Sequence, residues 1–385
     1  MSLPPVSQDR PDLVEEVVLG AAPGATDPAR ARIPVWRDWR VAVGLAITVV
    51  AFAFAIRGIP LDEVARAMAD ANLVVLLGIS VPAYLGAVYF RGLRWRHLTN
   101  PIAPVDRGLL ARGVVIGFMV NNLVPLRIGE VVRAWYVSKE SGVSASALFG
   151  TVVLERVIDV VSVVLLAFVA LSFAGASSTE SELLSRGAIL LLPAALVPLV
   201  GLVLLRVAPE AMLRLASWFL KPFPERITAL VERLLRNFIQ GLGALSGGRH
   251  LFWIAFHSAM IWIVFSMLPM LAGFLAFGID LGSTTEMIVV SYIALGAVGV
   301  AVAIPSAPGF FGTYQLAFKT VLEQFGVPSA TALALGLLVW FVFWFTLTLA
   351  GLVVMRAGGT RLSDLTRGAG VPGAAASAPP VGPGA

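Results

Sequence analysis

The stretch that decides the fold is residues 147–173, which read ALFGTVVLERVIDVVSVVLLAFVALSF. A helix needs about 20 apolar residues to cross the hydrocarbon core of a bilayer, and this run is long enough. Its only charged residues, Glu155, Arg156 and Asp159, stand near the middle of the run. The stretch therefore predicts a membrane-spanning helix that carries three charges close to the bilayer midplane.

The composition of the whole chain agrees with this interpretation. Of 385 residues, 58% are hydrophobic and 13% are charged, whereas a soluble domain carries about 25% charged residues. The mean hydropathy is +0.88, which excludes a soluble enzyme, a nucleic-acid-binding module and a disordered protein. The net charge of +5 suits loops beside an anionic cytoplasmic leaflet. The chain has no cysteine, so disulfide and thiolate chemistry are excluded as well.

The long apolar runs predict an all-α, polytopic membrane helix bundle. Loop charges, read by the positive-inside rule, favour six spanning helices and two re-entrant hairpins of opposite orientation. The hairpins are 108–126, entered from the cytoplasm, and 285–304, entered from outside. The spanning runs are 41–56, 73–90, 147–173, 187–207, 251–279 and 330–355.

This topology depends on a few loops. Residues 91–107 are expected to form a basic cytoplasmic loop before the first hairpin, and the segment after that hairpin is also basic. The loop before 285–304 is acidic, and re-entry of that run from outside leaves the C-terminal arginines on the cytoplasmic side. The arginines of the first loop are Arg91, Arg94, Arg96 and Arg107.

The same pattern divides the chain into a transmembrane domain and two polar ends. Residues 1–40 are expected to form a disordered cytoplasmic leader and residues 357–385 a disordered tail rich in Ala, Pro and Gly. Between them, 41–356 form the transmembrane domain, in which 209–246 is expected to be an interfacial amphipathic helix or a surface that packs on a cytosolic neighbour. We expect a multi-pass protein of the cell (inner) membrane with both termini in the cytoplasm.

The two hairpin regions resemble each other. Each runs from a Pro/Gly break to a short helix, a Gly-Val turn and a long apolar helix. The first break lies at Pro125 and the second at Pro305–Gly312. Oppositely oriented repeats with broken helices are typical of transporters that bind their substrate near the midplane.

The first hairpin and the helix after it resemble the lysylphosphatidylglycerol synthase transmembrane-region family, also called flippase-like integral membrane proteins. The pattern is an Asn, then Pro-x-Arg-x-Gly-Glu-x-x-Arg, a Gly-x-Ser turn, and Glu-Arg-x-x-Asp. The matching residues are Asn122, Pro125, Arg127, Gly129, Glu130, Arg133, Gly142, Ser144, Glu155, Arg156 and Asp159.

Two further matches extend the resemblance over roughly residues 40–355. They are the Arg94-Trp95 pair and Pro308-Gly309-x-x-Gly312. The family usually has a Glu after the second motif, and this chain has Gln315, so one acid is missing there. The resemblance implies lipid translocation or lipid handling, without the soluble aminoacyl-transferase domain of the better-known members.

Glu155, Arg156 and Asp159 are the strongest candidate site residues. An ion at the midplane costs about 2.5–3.5 kcal/mol on insertion scales, so we expect these residues to have a structural or functional role that offsets the cost. Either they form a structural cluster that pins the hairpin to the helix, or they line a polar cavity that binds a headgroup or a coupling proton.

Arg127, Glu130 and Arg133 follow the first break. Guanidinium groups suit bidentate phosphate binding, but these arginines could equally anchor the hairpin to cytoplasmic headgroups. Asn121 and Asn122 are expected to satisfy freed backbone groups or to contact a ligand. The substrate-binding set is Asn122, Arg127, Glu130, Arg133, Glu155, Arg156, Asp159 and Gln315.

Other motifs point to packing. His250 and His257 have no third ligand near them in the sequence, so we expect no metal site. Gly113 and Gly117 suit close helix packing, and Gly309 and Gly312 suit close backbone approach. We find no Walker A motif and no Gly-x-Ser-x-Gly, and we expect no cofactor and no catalytic residue.

The sequence favours a lipid-handling transporter whose partner is a membrane lipid: an anionic or aminoacylated phospholipid, or a lipid-linked sugar. A separate cytosolic synthase is a possible protein partner, and nucleic acid is not expected. One alternative is a membrane-embedded transferase that acts on a lipid-linked donor. Another is a non-transporting subunit that hands lipid to a partner docked on the basic 206–250 segment.

Overall fold

The computed structural model describes residues 39–124, 127–174, 248–303 and 308–359, together with parts of 200–239. All regular secondary structure in these residues is helical, which confirms the predicted all-α class. The helices before residue 175 are α1 (Trp39–Ile56), α2 (Leu61–Asp70), α3 (Leu73–Thr99), α4 (Arg107–Leu123), α5 (Gly129–Ser141) and α6 (Ala145–Ala174).

Helix α7 (Pro209–Leu220) follows, and five further α-helices lie beyond it in the described part of the chain. A π-helical segment, Met260–Phe265, joins α8 to α9, and a 3-10 turn, Pro308–Phe310, precedes α11. The helices are α8 (Gly248–Ala259), α9 (Leu268–Ala276), α10 (Thr284–Ala303), α11 (Thr313–Gln324) and α12 (Ser329–Ala357).

Local sequence signals set several of these ends. Asn72 Oδ1 accepts a hydrogen bond from the Val75 N–H at 3.2 Å, and Asp106 Oδ1 accepts one from the Leu109 N–H at 3.0 Å. These side chains satisfy free amides at the starts of α3 and α4. Helix α5 ends at Gly142, whose φ of 72° is readily adopted only by glycine.

Several helices are long and apolar enough to cross a membrane by themselves. The pair α1 and α2 would add one more span, although the two are bent by 83° relative to each other. Helix α6 has 30 residues, about 45 Å at 1.5 Å per residue, and contains the buried charges. The qualifying helices are Leu73–Thr99, Gly248–Ala276, Thr284–Val302 and Ser329–Ala357. The chain is therefore polytopic, while the number of six spans and the two re-entrant hairpins stay predictions.

The outer surface of the bundle is apolar. Large hydrophobic side chains such as Phe54 on α1, Phe168 on α6 and Val353 on α12 are exposed. A soluble monomer rarely exposes so much contiguous apolar surface. These faces therefore suit contact with lipid, as expected for a multi-pass membrane protein.

The packing of the helices relates the two halves of the chain. Helix α4 packs on α12, and α10 packs on α6. If α4, α5 and α6 correspond to α10, α11 and α12, the first helix of each unit packs on the third helix of the other. If the two units are related by a two-fold axis, both of these contacts must be present together. The packing therefore supports the predicted internal repeat.

Each half of the bundle has its own hydrophobic core. One core is centred on α3 to α6 and includes Trp95 and Met119, both fully buried. The other is centred on α9 to α12 and includes Phe274 and Phe318, also fully buried. The charged side chains described below lie on α3, α5 and α6, and the cavity beside them is lined by residues from both halves of the chain.

The structure corrects the expected loop at 91–107. Helix α3 does not end at residue 90 but continues to Thr99. Arg91 and Arg94 are consequently helical and buried. Arginine normally indicates a loop beside a membrane, but here carboxylates on α6 are close enough to pair with both residues.

Parts of the predicted organisation lie outside the described residues. These parts are the leader up to residue 38, the tail from residue 360, and 175–199, which contain the acidic loop and the start of the predicted span 187–207. Of the predicted interfacial helix at 209–246, the structure describes α7 and short pieces after it.

Candidate functional site

Six charged side chains join α3, α5 and α6. We call them the charge cluster: Arg91, Arg94, Arg133, Glu155, Arg156 and Asp159. Glu155 and Asp159 share one face of α6 at i,i+4. They are 0% and 5% exposed, respectively.

Asp159 accepts hydrogen bonds from two different segments. Arg91 Nη1 donates to its Oδ2 at 2.8 Å, and Arg94 Nη2 donates to its Oδ1 at 2.7 Å. The indole Nε1 of Trp262 also donates to Oδ1, at 2.9 Å. The carboxylate therefore ties α3 and the π-helical segment to α6.

Glu155 forms ion pairs with arginines from three helices. Its Oε1 lies 3.2 Å from Arg94 Nη2 and 3.1 Å from Arg156 Nη2, and its Oε2 lies 3.3 Å from Arg133 Nη1. Three helices therefore share a single carboxylate, and charge-assisted bonds of this kind fix both partners in place.

A close approach of α4 and α5 places Arg133 in the cluster. A Cβ atom on Gly129 would lie 2.0 Å from the carbonyl oxygen of Gly117, so only glycine fits there. The Arg133 guanidinium lies over the Trp95 ring at 4.9 Å. The close packing predicted for Gly113 and Gly117 is confirmed, since a Cβ on Gly113 would lie 2.7 Å from Val137.

Beside the first break, the segment between α4 and α5, a side chain at the end of α4 holds the start of α5. Asn121 Oδ1 accepts a hydrogen bond from the Gly129 N–H at 2.8 Å, and its Nδ2 donates to Glu130 Oε2 at 3.1 Å. Asn121 therefore satisfies a free amide at the start of α5, as predicted. Pro125 lies outside the described residues.

The two breaks touch each other through a strained pair of residues. Arg127 Nη1 donates to the Val302 carbonyl oxygen at 2.6 Å, and its guanidinium lies 4.8 Å from the centroid of the Phe310 ring. Of the described residues other than glycine, only these two have positive φ, 53° for Arg127 and 62° for Phe310. Such backbone costs about 1–3 kcal/mol per residue and tends to cluster at functional sites.

A cavity opens in front of the charge cluster. It encloses about 1060 Å³, its open mouth included. Its walls are largely apolar, with Val298, Val302 and Phe343 among them, and they include several charged and polar side chains. The charged ones are Arg91, Arg127, Glu130 and Arg156, and the neutral polar ones are Tyr84, Asn121, Trp262, Ser266 and Tyr314.

The chain matches the family described as the lysylphosphatidylglycerol synthase TM region over residues 41–351. The match covers most of the chain and includes both breaks and the whole charge cluster. The chain belongs to this family. The resemblance drawn from the first-hairpin motif is thereby confirmed.

Curated relatives of the chain include membrane proteins of archaea. A UPF0104 membrane protein of Pyrococcus horikoshii is 26% identical over 77% of this chain and 91% of its own length. One from Methanothermobacter thermautotrophicus is 22% identical over 76% and 86%. Glycosyltransferase AglD of Haloferax volcanii is 25% identical over 79% of this chain, which spans only 52% of that relative. No solved structure matches the chain.

The structure brings most of the predicted site residues of this family member together. Arg127, Glu130 and Arg156 line the cavity. Glu155 and Asp159 lie behind them in the charge cluster. Arg133 lines a small recess beside the cavity, next to Arg156.

Two predicted residues lie elsewhere. Asn122 donates from Nδ2 to the Trp344 carbonyl oxygen at 3.2 Å and to Thr348 Oγ1 at 3.1 Å, so it joins α4 to α12. Gln315 Oε1 accepts a hydrogen bond from the Gly312 N–H at 2.7 Å and caps α11. Neither residue is among those that line the cavity.

The structure adds three residues that the sequence argument did not assign to the site: Arg91, Arg94 and Trp262. Arg91 and Arg94 are at i,i+3, so they share one face of a helix. The i,i+3 spacing could have indicated that both arginines belong to the site. Such a shared face exists only on a helix, however, and 91–107 was interpreted as a loop. Nothing in the sequence near Trp262 indicates its hydrogen bond to Asp159.

The three histidines of the chain lie near one another. The ring of His97 lies 5.7 Å from that of His250 and 5.3 Å from that of His257. His97 reaches them because α3 continues to Thr99. Among the described residues, no group of three His, Asp or Glu side chains is arranged to hold a metal ion.

Proposed function

We propose that the chain is a lipid flippase, a transporter that takes a phospholipid or a lipid-linked substrate by its headgroup and moves that headgroup across the bilayer. One observation carries the proposal: a cavity with largely apolar walls, lined from both halves of the chain, has three arginines in its surface, Arg91, Arg127 and Arg156. A cavity that only had to admit acyl chains would need no charge, and a site for a soluble ion would need no apolar wall.

In this proposal, Arg91, Arg127 and Arg156 bind the phosphate of the headgroup. The guanidinium group stays charged and offers paired donors that match two phosphate oxygens. The apolar walls accept the first carbons of the chains, while the rest of each chain stays in the bilayer.

The buried acids have a supporting role. Four arginines brought together without counter-charges would repel one another, and removing water from them is costly. Glu155 and Asp159 offset part of this repulsion and fix the directions in which the guanidinium groups point. They act as positioning residues rather than as direct ligands.

The two units supply a route for movement. Their reciprocal packing and broken helices are typical of transporters in which one repeat moves against the other around a central site. The contact between Arg127 and Phe310 joins the two breaks, so an occupant that binds Arg127 would alter the contact between the units.

The name of the Haloferax relative favours a second candidate, a membrane-embedded transferase acting on a lipid-linked donor. Glu130 would be the available general base, because Glu155 and Asp159 are both held by arginines. Incubation of purified protein with a lipid-linked sugar donor and an acceptor lipid would give a new product if this candidate is correct. The flippase proposal expects none.

The cellular setting belongs to the same proposal. We place the protein in the cell membrane, with both termini cytoplasmic, and assign the supply of its lipid to a separate cytosolic synthase. If the chain instead hands lipid to a docked partner, deletion of 209–246 will abolish co-purification of that partner. The flippase proposal requires transport by the purified chain alone.

The test is transport in vesicles that contain purified protein and a headgroup-labelled lipid, with and without a pH gradient. We expect label to cross the bilayer, and Arg127→Gln to slow it about tenfold, equivalent to about 1.4 kcal/mol in the barrier. Arg214→Gln removes the same charge from the exposed face of α7 and should leave the rate unchanged. Vesicles in which wild-type protein moves no lipid would refute the proposal.

A further inference from the structure

The charge cluster is not neutral. It contains four arginines, Arg91, Arg94, Arg133 and Arg156, but only two carboxylates, those of Glu155 and Asp159. Two positive charges are therefore left over. At the first break, Arg127 and Glu130 offset each other, so the surplus of two remains when the whole site is counted.

Direct ion pairing does not remove this surplus. In the part of the chain that the structure describes, every ion pair within 4 Å of these arginines involves Glu155 or Asp159. A surplus charge in water is screened, but a buried one is screened far less. The surplus therefore calls for an occupant of opposite charge.

Unpaired donors show where that occupant would bind. Arg133 is 3% exposed, and its Nε and Nη2 atoms have no hydrogen-bond partner among the described residues. Arg133 lines the small recess, which shares Phe118, Asn121, Glu130 and Arg156 with the cavity. Buried donors are normally paired, so these atoms mark a place for acceptor oxygens.

We infer that the headgroup handled by this site carries at least two negative charges on phosphate, as a lipid phosphomonoester or a lipid diphosphate does. This inference rests on the proposed function and narrows its substrate class. A dianion would match the two surplus charges. One set of phosphate oxygens would bind Arg91, Arg127 and Arg156 in the cavity, and another would reach Arg133 through the recess.

The same charge count disfavours other headgroups. A zwitterionic headgroup brings no net charge and leaves the surplus in place. A lysyl headgroup brings two ammonium groups and one phosphate, so it would add positive charge to a site that already has too much. The site should therefore discriminate by charge among lipids with identical chains.

The experiment measures competitive binding to the full chain in phosphatidylcholine nanodiscs by native mass spectrometry. The probes share the same acyl chains: diacylglycerol diphosphate, phosphatidic acid, phosphatidylglycerol and lysylphosphatidylglycerol. At about pH 8 a phosphomonoester is doubly ionised. We expect phosphatidic acid and diacylglycerol diphosphate to bind at least about tenfold more tightly than phosphatidylglycerol, and lysylphosphatidylglycerol to bind most weakly.

Inorganic diphosphate, added as a competitor, distinguishes a lipid headgroup from a free phosphate anion as the ligand of the site. Competition without any lipid binding would mean that the site takes a free anion, which would overturn the inference. Binding of diphosphate lipid but not phosphatidic acid, or the reverse, would assign the substrate to one member of the class.

Two variants that change the net charge of the site in opposite directions test whether the surplus charge causes the lipid preference. Arg127→Gln reduces the surplus to one, so the preference for dianionic over monoanionic lipid should fall about tenfold. Glu130→Gln raises the surplus to three, so the same preference should increase several-fold. A folding defect would not move this ratio in opposite directions, and Arg214→Gln should leave it unchanged.

The inference is wrong if phosphatidylglycerol or lysylphosphatidylglycerol binds as tightly as phosphatidic acid and diacylglycerol diphosphate. That result would leave the flippase proposal intact, because lipid would still bind at the site. If no lipid of any charge binds and none is transported, the proposed function fails, and the inference fails with it.

Discussion

Asp159 links more segments than any sequence pattern indicates. Arg91 and Arg94 from α3 and Trp262 from the π-helical segment all donate to it. Loss of one buried member of such a group leaves the others uncompensated, which costs more than the interaction itself contributes.

We therefore expect Asp159→Asn to destabilise the protein strongly, by about 3–5 kcal/mol. The change keeps the shape of the side chain but leaves three surplus positive charges in the cluster. Thermal unfolding of the purified protein in nanodiscs would show a clearly lower melting temperature. Asp62→Asn breaks an ion pair with Arg66 in which both side chains are about 70% exposed and should not shift it. An unchanged melting temperature for Asp159→Asn would contradict the structural importance of the cluster.

At the residue scale, the sequence identified the charges that had no ordinary explanation. Glu155, Arg156 and Asp159 stood out because an apolar run does not carry ions without a use for them. Arg91 and Arg94 did not stand out, since arginines at the end of an apolar run are common beside the membrane. Their partners are far away in the sequence, so only the folded chain shows the pairing.

At the element scale, the α4–α5 hairpin depends on glycine. Gly117 and Gly129 let the two helices approach until backbone contacts backbone, and this approach brings Arg133 to Glu155. The glycine pattern in the sequence predicted close packing of α4. It did not show which helix would be the neighbour, because that depends on how the chain turns at the first break.

Gly129→Ala should separate the two helices. The added Cβ would meet the Gly117 carbonyl oxygen, and overpacking of this kind costs about 1–3 kcal/mol. We expect a lower melting temperature together with slower lipid transport, because Arg133 would lose its position.

Gly150→Ala is the matched control for this change. Gly150 lies within α6, and nothing stands within 4 Å of the position that its Cβ would occupy. Since alanine favours a helix over glycine by about 1 kcal/mol, stability should stay the same or rise slightly. Equal loss of stability in both variants would show that the close approach is not the cause.

At the scale of the whole molecule, the two units are related by their packing, and their orientations in the membrane follow from loop charge. Re-entry of both hairpins from opposite sides predicts that the turn after α5 is cytoplasmic and that the turn after α11 is outside. If α10 crossed completely instead, both turns would be on the same side.

The absence of cysteine from the chain makes this topology directly testable. We expect Glu140→Cys, at the exposed end of α5, to react with an impermeant thiol reagent only from the cytoplasmic side. Gln324→Cys, at the exposed end of α11, should react only from outside. Labelling of both positions from one side would show that 285–304 spans the membrane, and the hairpin topology would then be wrong.

The sequence by itself determined that the chain is a helical, polytopic membrane protein of this family, and it located the acids of the charge cluster. These features are local: apolar length sets where helices form, and an ion in an apolar run is conspicuous wherever the run folds. The tertiary structure alone decided that α3 extends to bring Arg91 and Arg94 to those acids, that Asn122 and Gln315 serve packing and capping, and that positive charge outnumbers negative at the site. These depend on which helices meet, and that is set by the combined packing of two distant units and by the attraction between opposite charges, which is strong where water is excluded.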